Sequence, residues 1–121
     1  LIKETIRGMN LQMKSTHLDN EQIANYIHQN IYQPKLIQVK VIAEHFNIAQ
    51  TYFSAYFKRT FSISYREYIH NLRMALIEKR FHNNQLPIKQ IAYEFGFTDE
   101  SHLTNYFKKR KNMKPTDFKK L

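Results

Sequence analysis

The chain has 121 residues, and its 19 lysines and arginines outnumber its 10 acidic residues to give a formal net charge of +9. Apolar residues make up 42% and cysteine is absent, which excludes a disordered composition, a disulfide framework and a cysteine zinc site. Only 2 glycines and 3 prolines are available for tight turns, so an all-α fold is expected. The excess of positive charge favours an anionic binding partner.

Residues 1–19 carry apolar side chains at Ile2, Ile6, Met9 and Met13, a helical spacing. Two heptads are too few for a coiled coil that stands alone. We therefore interpret the segment as a linker remnant, with a short amphipathic, dimerising helix as the alternative. Since the chain begins with Leu1 rather than methionine, we expect it to be a fragment of a longer protein.

Three helices are predicted in the following forty residues. The first runs from about Asn20 to Tyr32, with Asp19 or Asn20 as its cap and Pro34 as its end. A short second helix precedes Asn47, and a third ends near residue 61. Their apolar faces are predicted from helical spacing and comprise Ile23, Ile27, Ile31, Val39, Ile42, Ala43, Phe46, Phe53, Tyr56 and Phe57.

A long middle helix is predicted over about residues 64–82. Ser64 and Glu67 form a capping box at its start, in which each side chain binds the amide of the other residue. Apolar residues occupy two sides of this helix, so we expect it to connect two small helical subdomains. Arg73 lies among them and is predicted to tie the subdomains together through hydrogen bonds.

The second half of the chain repeats the first. Ile42-Ala43 recurs as Ile91-Ala92 at an offset of 49 residues, and Tyr56-Phe57-Lys58 recurs as Tyr106-Phe107-Lys108 at an offset of 50. The one-residue change falls after Ile48, where a turn accommodates an insertion. The repeat predicts a helix-turn-helix at about 39–61 and another at about 88–111.

A helix-turn-helix can insert its second helix into the major groove of DNA, while basic side chains at the rim neutralise phosphates. Each repeat contains both parts. The predicted phosphate contacts are Lys40, Lys58, Arg59, Lys89, Lys108, Lys109 and Arg110.

The sequence IKQIAYEFGFTDESHLTNYFKKR at 88–110, followed by MKPTDF at 113–118, resembles the signature of the AraC/XylS transcription regulators. The first repeat is similar to the same family through Ile42-Ala43, Tyr52-Phe53-Ser54, Phe57-Lys58-Arg59 and Ser64-Tyr65. The resemblance covers about residues 20–121. It implies a bipartite DNA-binding domain of about seven helices, whose two recognition helices enter successive major grooves.

The resemblance also implies which side chains face the bases. By position they are Gln50, Thr51, Ser54, Ala55, Glu100, Ser101, Thr104 and Asn105. Helical periodicity independently predicts that 51, 54, 55 and 58 point outward, as do 101, 104, 105 and 108. Of these residue types, asparagine and glutamine suit adenine and glutamate suits cytosine.

Further expectations from the family concern the whole protein. They are promoter DNA and RNA polymerase as partners, a bacterial cytoplasmic location at the nucleoid, and a small-molecule effector that acts only through an upstream domain. Activation rather than repression is also a family-level expectation.

Several positions depart from the family pattern. Asn47, Ser62 and Asn112 stand where glycine is usual, while Gly96 is kept. Ala49 and Lys114 stand where a capping residue is usual. Ala55 occupies a position where arginine is frequent, which predicts weak base reading by the first repeat.

Two other classes of function compete with DNA reading. An enzyme is disfavoured because the six histidines lack metal-ligand spacing and no phosphate loop or nucleophile motif occurs; neither a cofactor nor a metal site is predicted. No apolar segment approaches the ~20 residues of a membrane span. A basic helical module that binds nucleic acid without sequence preference, or an acidic protein, remains the alternative.

Overall fold

The computed structural model describes residues 18–83 and 86–121, so the interpretation of residues 1–17 lies outside the described part. The described residues form seven α-helices, one 3-10 helix (Pro34–Ile37) and no strand, which confirms the all-α prediction. The α-helices are α1 (Asn20–Asn30), α2 (Val39–His45), α3 (Gln50–Phe61), α4 (Tyr65–Asn83), α5 (Ile88–Glu94), α6 (Glu100–Lys111) and α7 (Pro115–Lys119).

The helices belong to two compact units. Among the described residues, the first unit comprises 18–30 together with Lys35–Arg66, and the second comprises Ile31–Pro34 together with 67–83 and 86–121. Helix α4 starts in the first unit and continues in the second. The long connecting helix predicted between two helix-turn-helix subdomains is therefore present.

The first unit has a core of isoleucine and phenylalanine. Phe53 and Phe57, one turn apart on α3, are both 0% exposed, and both contact the ring of Tyr65 edge to face. The Tyr65 hydroxyl donates a hydrogen bond of 2.8 Å to the carbonyl of Ile37, and burial raises the pKa of Tyr65. The other side chains of this core with at most 1% exposure are Ile23, Ile27, Ile42 and Ala43.

The second unit has its own core, built around three aromatic rings. Phe107 of α6 contacts Phe81 of α4 and Phe118 of α7, with ring centroids 5.2 Å apart in both pairs. The other buried members of this core are Met74, Ile77, Ile91, Ala92, Phe95 and Leu103. The middle helix is thus apolar on its Met74, Ile77 and Phe81 face because that face packs into this core.

Arg73 is the buried charged residue of the second unit, with 5% of its surface exposed. Its guanidinium donates to the carbonyls of Ile31 and Phe95, both at 2.7 Å, and burial lowers its pKa. Arg73 therefore has the hydrogen-bonding role that was predicted, and the carbonyls that it binds, at Ile31 after α1 and at Phe95 after α5, both belong to the second unit. It binds the 31–34 segment and the end of α5 to α4.

The ends of two helices differ from the prediction. Helix α1 ends at Asn30 rather than Tyr32, because the Asn30 side-chain amide donates to the Tyr26 carbonyl at 2.9 Å and competes with the backbone. Pro34 does not end α1 but begins the 3-10 helix. The prediction for the start of α1 is confirmed, since the Asp19 carboxylate accepts from the Glu21 amide at 2.8 Å.

The positions at which glycine is usual in the family all adopt left-handed backbone. The φ angles are 59° at Asn47, 63° at Ser62, 57° at Asn112 and 79° at Gly96. Asparagine adopts this conformation more readily than serine does, because its side chain can bond to the local backbone. The departures at these positions therefore preserve the turns.

Candidate nucleic-acid interface

The two helix-turn-helix segments have the same plan. Helices α2 and α5 have seven residues each, and α3 and α6 have twelve each. Four residues, 46–49, separate α2 from α3, whereas five residues, 95–99, separate α5 from α6. The predicted one-residue insertion therefore lies in the turn.

The two turns begin with equivalent hydrogen bonds. In the first turn, the Ile48 amide donates to the Ala43 carbonyl at 3.0 Å; in the second, the Phe97 amide donates to the Ala92 carbonyl at 2.9 Å. Such bonds satisfy carbonyls that the end of a helix leaves without partners. The turns thus fix where α3 and α6 start.

The starts of α3 and α6 differ. Ala49 precedes α3 and makes no side-chain cap. Asp99 precedes α6, and its carboxylate accepts from the amide of His102 at 2.8 Å. The missing cap at Ala49 was predicted from the sequence, whereas the capping role of Asp99 in the second recognition helix was not.

Helix α3 exposes every residue that was predicted to face the bases. Phe53 and Phe57 point into the core, as periodicity predicted, and the opposite face is open. Tyr56 is only half-buried, contrary to the core prediction, because its hydroxyl donates to the Asn20 side chain at 2.6 Å. The exposed side chains predicted to face the bases are Gln50, Thr51, Ser54 and Ala55.

Helix α6 exposes three of its four predicted base-facing residues, namely Glu100, Ser101 and Asn105. Thr104 is half-buried instead, because it borders the buried Phe107 side of the helix. Tyr106 is also half-buried rather than a core residue: its hydroxyl lies 2.7 Å from Nδ1 of His70. Burial raises the pKa of Tyr106.

All seven cations predicted to contact phosphates are exposed. Two of them rest on tyrosine rings of their own helix, with Arg59 5.9 Å from the Tyr56 centroid and Arg110 5.5 Å from the Tyr106 centroid. Arg110 also lies 3.9 Å from the carboxylate of Glu67. These contacts hold the guanidinium groups beside the outward faces of α3 and α6.

The last turn of α6 holds four consecutive cations, 108–111. Cations are stabilised at this end of a helix by its dipole, so their presence alone is weak evidence for a ligand. Lys111 forms an ion pair of 3.0 Å with Glu78. Among the described residues, Lys108 and Lys109 have no ion-pair partner, which leaves them available to phosphates.

A cleft of about 420 Å³ separates α5 from the start of α6. Lys89 lines it together with Glu100 and Ser101, so a predicted phosphate contact and two predicted base-facing residues open onto one surface. Tyr93 lines the same cleft and is 84% exposed. In the second unit, therefore, residues of α5 and of the start of α6 line one continuous surface.

The described residues contain no cluster of three histidine, aspartate or glutamate side chains able to hold a metal ion. None of the helices in residues 18–83 and 86–121 combines the length and apolarity that a membrane crossing requires.

Comparison with known proteins places these features in a family. The family described as "Helix-turn-helix domain" matches residues 42–121. The probable transcriptional regulator LumQ of Photobacterium leiognathi is 29% identical over 107 residues, which are 88% of this chain and 42% of LumQ. The HTH-type transcriptional regulator YijO of Escherichia coli is 27% identical over 100 residues, 83% of this chain and 35% of YijO. The chain thus spans about two fifths of these relatives or less.

Solved structures share the fold. The C-terminal domain of AraT, a response regulator from Geobacillus stearothermophilus, is 24% identical with a TM-score of 0.75, over 83% of this chain and 82% of that one. The C-terminal domain of the response regulator yesN from Fusobacterium nucleatum is 25% identical with a TM-score of 0.65, over 79% and 97%. The chain belongs to the AraC-type helix-turn-helix family of DNA-binding transcription regulators.

Proposed function

We propose that this chain reads double-stranded promoter DNA with two recognition helices, α3 and α6, inserted into successive major grooves. The observation that carries the proposal is the repeated arrangement: each helix buries one face and exposes a polar face that ends in cations. A major groove admits a helix and displays a distinct pattern of donors and acceptors for each base pair. The chain acts as a bound platform and not as a catalyst.

Five of the eight residues predicted to face the bases have side chains that suit a particular base. Asn105 and Gln50 carry amides that can bond adenine in a bidentate manner, while Glu100 accepts from the amine of cytosine. Thr51 and Ala55 offer methyl groups to thymine. Because Ala55 and Ser54 are short, we propose that α3 contributes less base discrimination than α6 does.

The wider role follows from DNA binding. Bound at a promoter in the bacterial cytoplasm, the domain recruits or blocks RNA polymerase, and a small-molecule effector acts through a separate domain of the full-length protein. The LumQ and YijO names support regulation of transcription for proteins that contain such a domain.

Selection of random ~30 bp duplexes at near-physiological salt, followed by sequencing of the bound pool, tests the proposal. Two enriched elements about 10 bp apart are expected, since recognition helices in successive grooves are one helical turn apart. A single element would contradict base reading by both helices. Salt-sensitive binding without enrichment would instead favour the alternative of a basic module without sequence preference.

Two variants distinguish a contact to a base from a contact to a phosphate. Asn105→Ala should weaken binding to the selected site by ~1–3 kcal/mol and relax preference at one position, whereas Lys108→Ala should weaken all duplexes alike and lower the salt slope by about 1. Lys79→Ala removes the same charge from an exposed position on α4 and serves as the control. Direct readout by Asn105 is refuted if its variant behaves like Lys108→Ala on every sequence.

A further inference from the structure

Tyr52 and His102 occupy equivalent positions in the two recognition helices, 50 residues apart, and neither was predicted to contact DNA. Both side chains are exposed, and Tyr52 is 48% exposed although it is a large aromatic residue. Each lies next to a residue predicted to face the bases, Thr51 in α3 and Ser101 in α6. Each repeat therefore has an aromatic ring with a hydrogen-bonding group next to the residues predicted to face the bases.

The same side of each helix carries a cation. Tyr52 precedes Arg59 by seven residues, as His102 precedes Lys109. Seven residues are almost two turns of an α-helix, so the members of each pair lie on one side of the helix, ~10 Å apart along its axis. In both helices this side borders the base-facing surface, where the sugar-phosphate backbone passes when a helix occupies the groove.

The Tyr52 ring is supported by its neighbours in the first unit. It stacks on Tyr56, with centroids 6.4 Å apart and an interplanar angle of 27°. Tyr56 is in turn fixed by the 2.6 Å hydrogen bond from its hydroxyl to the Asn20 side chain on α1. Within the described residues the Tyr52 hydroxyl has no hydrogen-bond partner. It is therefore a hydrogen-bond donor at the surface whose position is fixed by the packing of its ring.

The His102 ring is supported in a different way. Its Nδ1 accepts from the backbone amide of Thr98 at 3.3 Å, and the ring meets Phe97 edge to face with centroids 5.0 Å apart. Because Nδ1 accepts a hydrogen bond, the proton of the neutral ring is on Nε2. Nε2–H is without a partner in the part of the chain that the structure describes. Like the Tyr52 hydroxyl, it is a hydrogen-bond donor at the surface whose position is fixed by its neighbours.

We propose that the Tyr52 hydroxyl and the His102 Nε2–H each donate a hydrogen bond to a phosphate oxygen of the DNA backbone, beside the contacts of Arg59 and Lys109. This inference rests on the proposed function, since it takes α3 and α6 as the helices that enter DNA. A ring already held by its neighbours loses little conformational freedom on binding. Such contacts fix the register of a helix in the groove without carrying sequence information.

The charge state of the donors gives the proposal a distinctive readout. A cation that neutralises a phosphate releases a counterion, so its removal changes how affinity depends on salt. The Tyr52 hydroxyl carries no charge, and the His102 ring carries none while its Nδ1 accepts from Thr98, so neither donor releases a counterion. Their removal should weaken binding to every duplex while the salt dependence of affinity stays unchanged.

Tyr52→Phe is the principal test, because it deletes one oxygen and keeps the ring on Tyr56. We expect a loss of affinity of about 10-fold on the selected site and on random duplex alike, as for a hydrogen bond to a charged acceptor. The slope of log affinity against log salt should equal that of the unmodified protein, in contrast to Arg59→Ala. Tyr32→Phe deletes the same atom from a partly exposed tyrosine outside α3 and α6 and is the control.

His102→Phe tests the second repeat, with thermal unfolding measured in parallel because the variant also removes the acceptor for Thr98. A variant that remains folded and binds every duplex less tightly with an unchanged salt slope supports the proposal. Unchanged affinity in both variants overturns it, as does a loss confined to the selected sequence, which would indicate base contacts. If the unmodified protein fails to bind duplex DNA, the proposed function itself fails, a result distinct from these.

Discussion

The two helix-turn-helix segments are built alike but held differently. Each has a seven-residue helix, a turn with a residue in left-handed backbone, and a twelve-residue helix. An equivalent phenylalanine of the longer helix is fully buried in each, Phe57 in α3 and Phe107 in α6. In the second segment Asp99 caps the recognition helix, and the buried Arg73 of α4 binds the turn to the 31–34 segment. The first lacks both devices. Equivalent architecture therefore does not imply equivalent local stability.

The turn glycine of the second segment illustrates the difference. A Cβ atom at Gly96 would lie 2.5 Å from Cδ of Pro34 and 3.2 Å from the Tyr32 carbonyl. The equivalent Asn47 has the same left-handed backbone, and its side chain is exposed. Backbone conformation alone permits asparagine at both positions, so it is the 31–34 segment that restricts position 96 to glycine.

The largest effect is expected for Gly96→Ala. The substitution combines left-handed strain with a steric clash against Pro34, and should reduce the free energy of unfolding by ~2–5 kcal/mol. Asn47→Ala adds strain without the clash and should cost about 1–2 kcal/mol. Urea denaturation of both variants measures the difference, and equal losses would show that the 31–34 segment does not constrain the second turn.

Arg73→Met is expected to have the next largest effect. Methionine fills much of the volume but leaves the buried carbonyls of Ile31 and Phe95 without their donor, at a cost of ~2–4 kcal/mol. Arg66→Met, which makes the same exchange at an exposed position of α4, should change stability by less than about 0.5 kcal/mol. Similar thermal shifts in the two variants would mean that the hydrogen bonds of Arg73 contribute little.

The outcome for Arg73 shows what sequence patterns can and cannot predict. Helical spacing, caps and the repeat predicted most helices, the inserted turn residue and the exposed faces of α3 and α6, because these depend on residues close in sequence. The acceptors of Arg73 are 42 and 22 residues away, and no local pattern specifies them. The sequence therefore predicted a hydrogen-bonding role for Arg73 but not which carbonyls it binds.

The candidate interface was predictable to a similar degree. Periodicity separates buried from exposed positions but does not register half-buried ones, which explains the error at Thr104. It assigned Tyr56 and Tyr106 to the core because it treats a tyrosine as apolar, whereas their hydroxyls draw the rings to the edge, toward Asn20 and His70. The hydrogen bond from the Thr98 amide to the His102 ring was not predicted either, because periodicity describes exposure and not side-chain hydrogen bonds.

A cap added to α3, or removed from α6, should bring the two recognition helices closer in stability. Ala49→Asp supplies α3 with an acceptor for its free amides and should stabilise the protein by about 1 kcal/mol, while Asp99→Ala should destabilise it by a similar amount. Hydrogen exchange of the first-turn amides of α3 and α6 measures the local effect in each variant. Stabilisation of α3 without slower exchange at its first turn would contradict a capping mechanism.

The smallest effect is expected where α3 and α6 end. Ser62 and Asn112 hold equivalent left-handed positions, with φ of 63° and 57°, and each amide donates to a carbonyl four residues earlier. Glycine removes the strain that a serine side chain incurs there but increases the freedom of the unfolded chain, so Ser62→Gly should stabilise by a net ~0.5–1 kcal/mol.

Asn112→Gly provides the matched control for that last prediction. Asparagine tolerates left-handed backbone, so relief of strain and the entropy of the unfolded chain should nearly cancel, and thermal unfolding should shift little. If the two glycine variants shift the unfolding midpoint equally, residue type at these ends does not distinguish the segments. The contrast between them would then lie entirely in the turns and in the cap of α6, where Gly96 and Asp99 act.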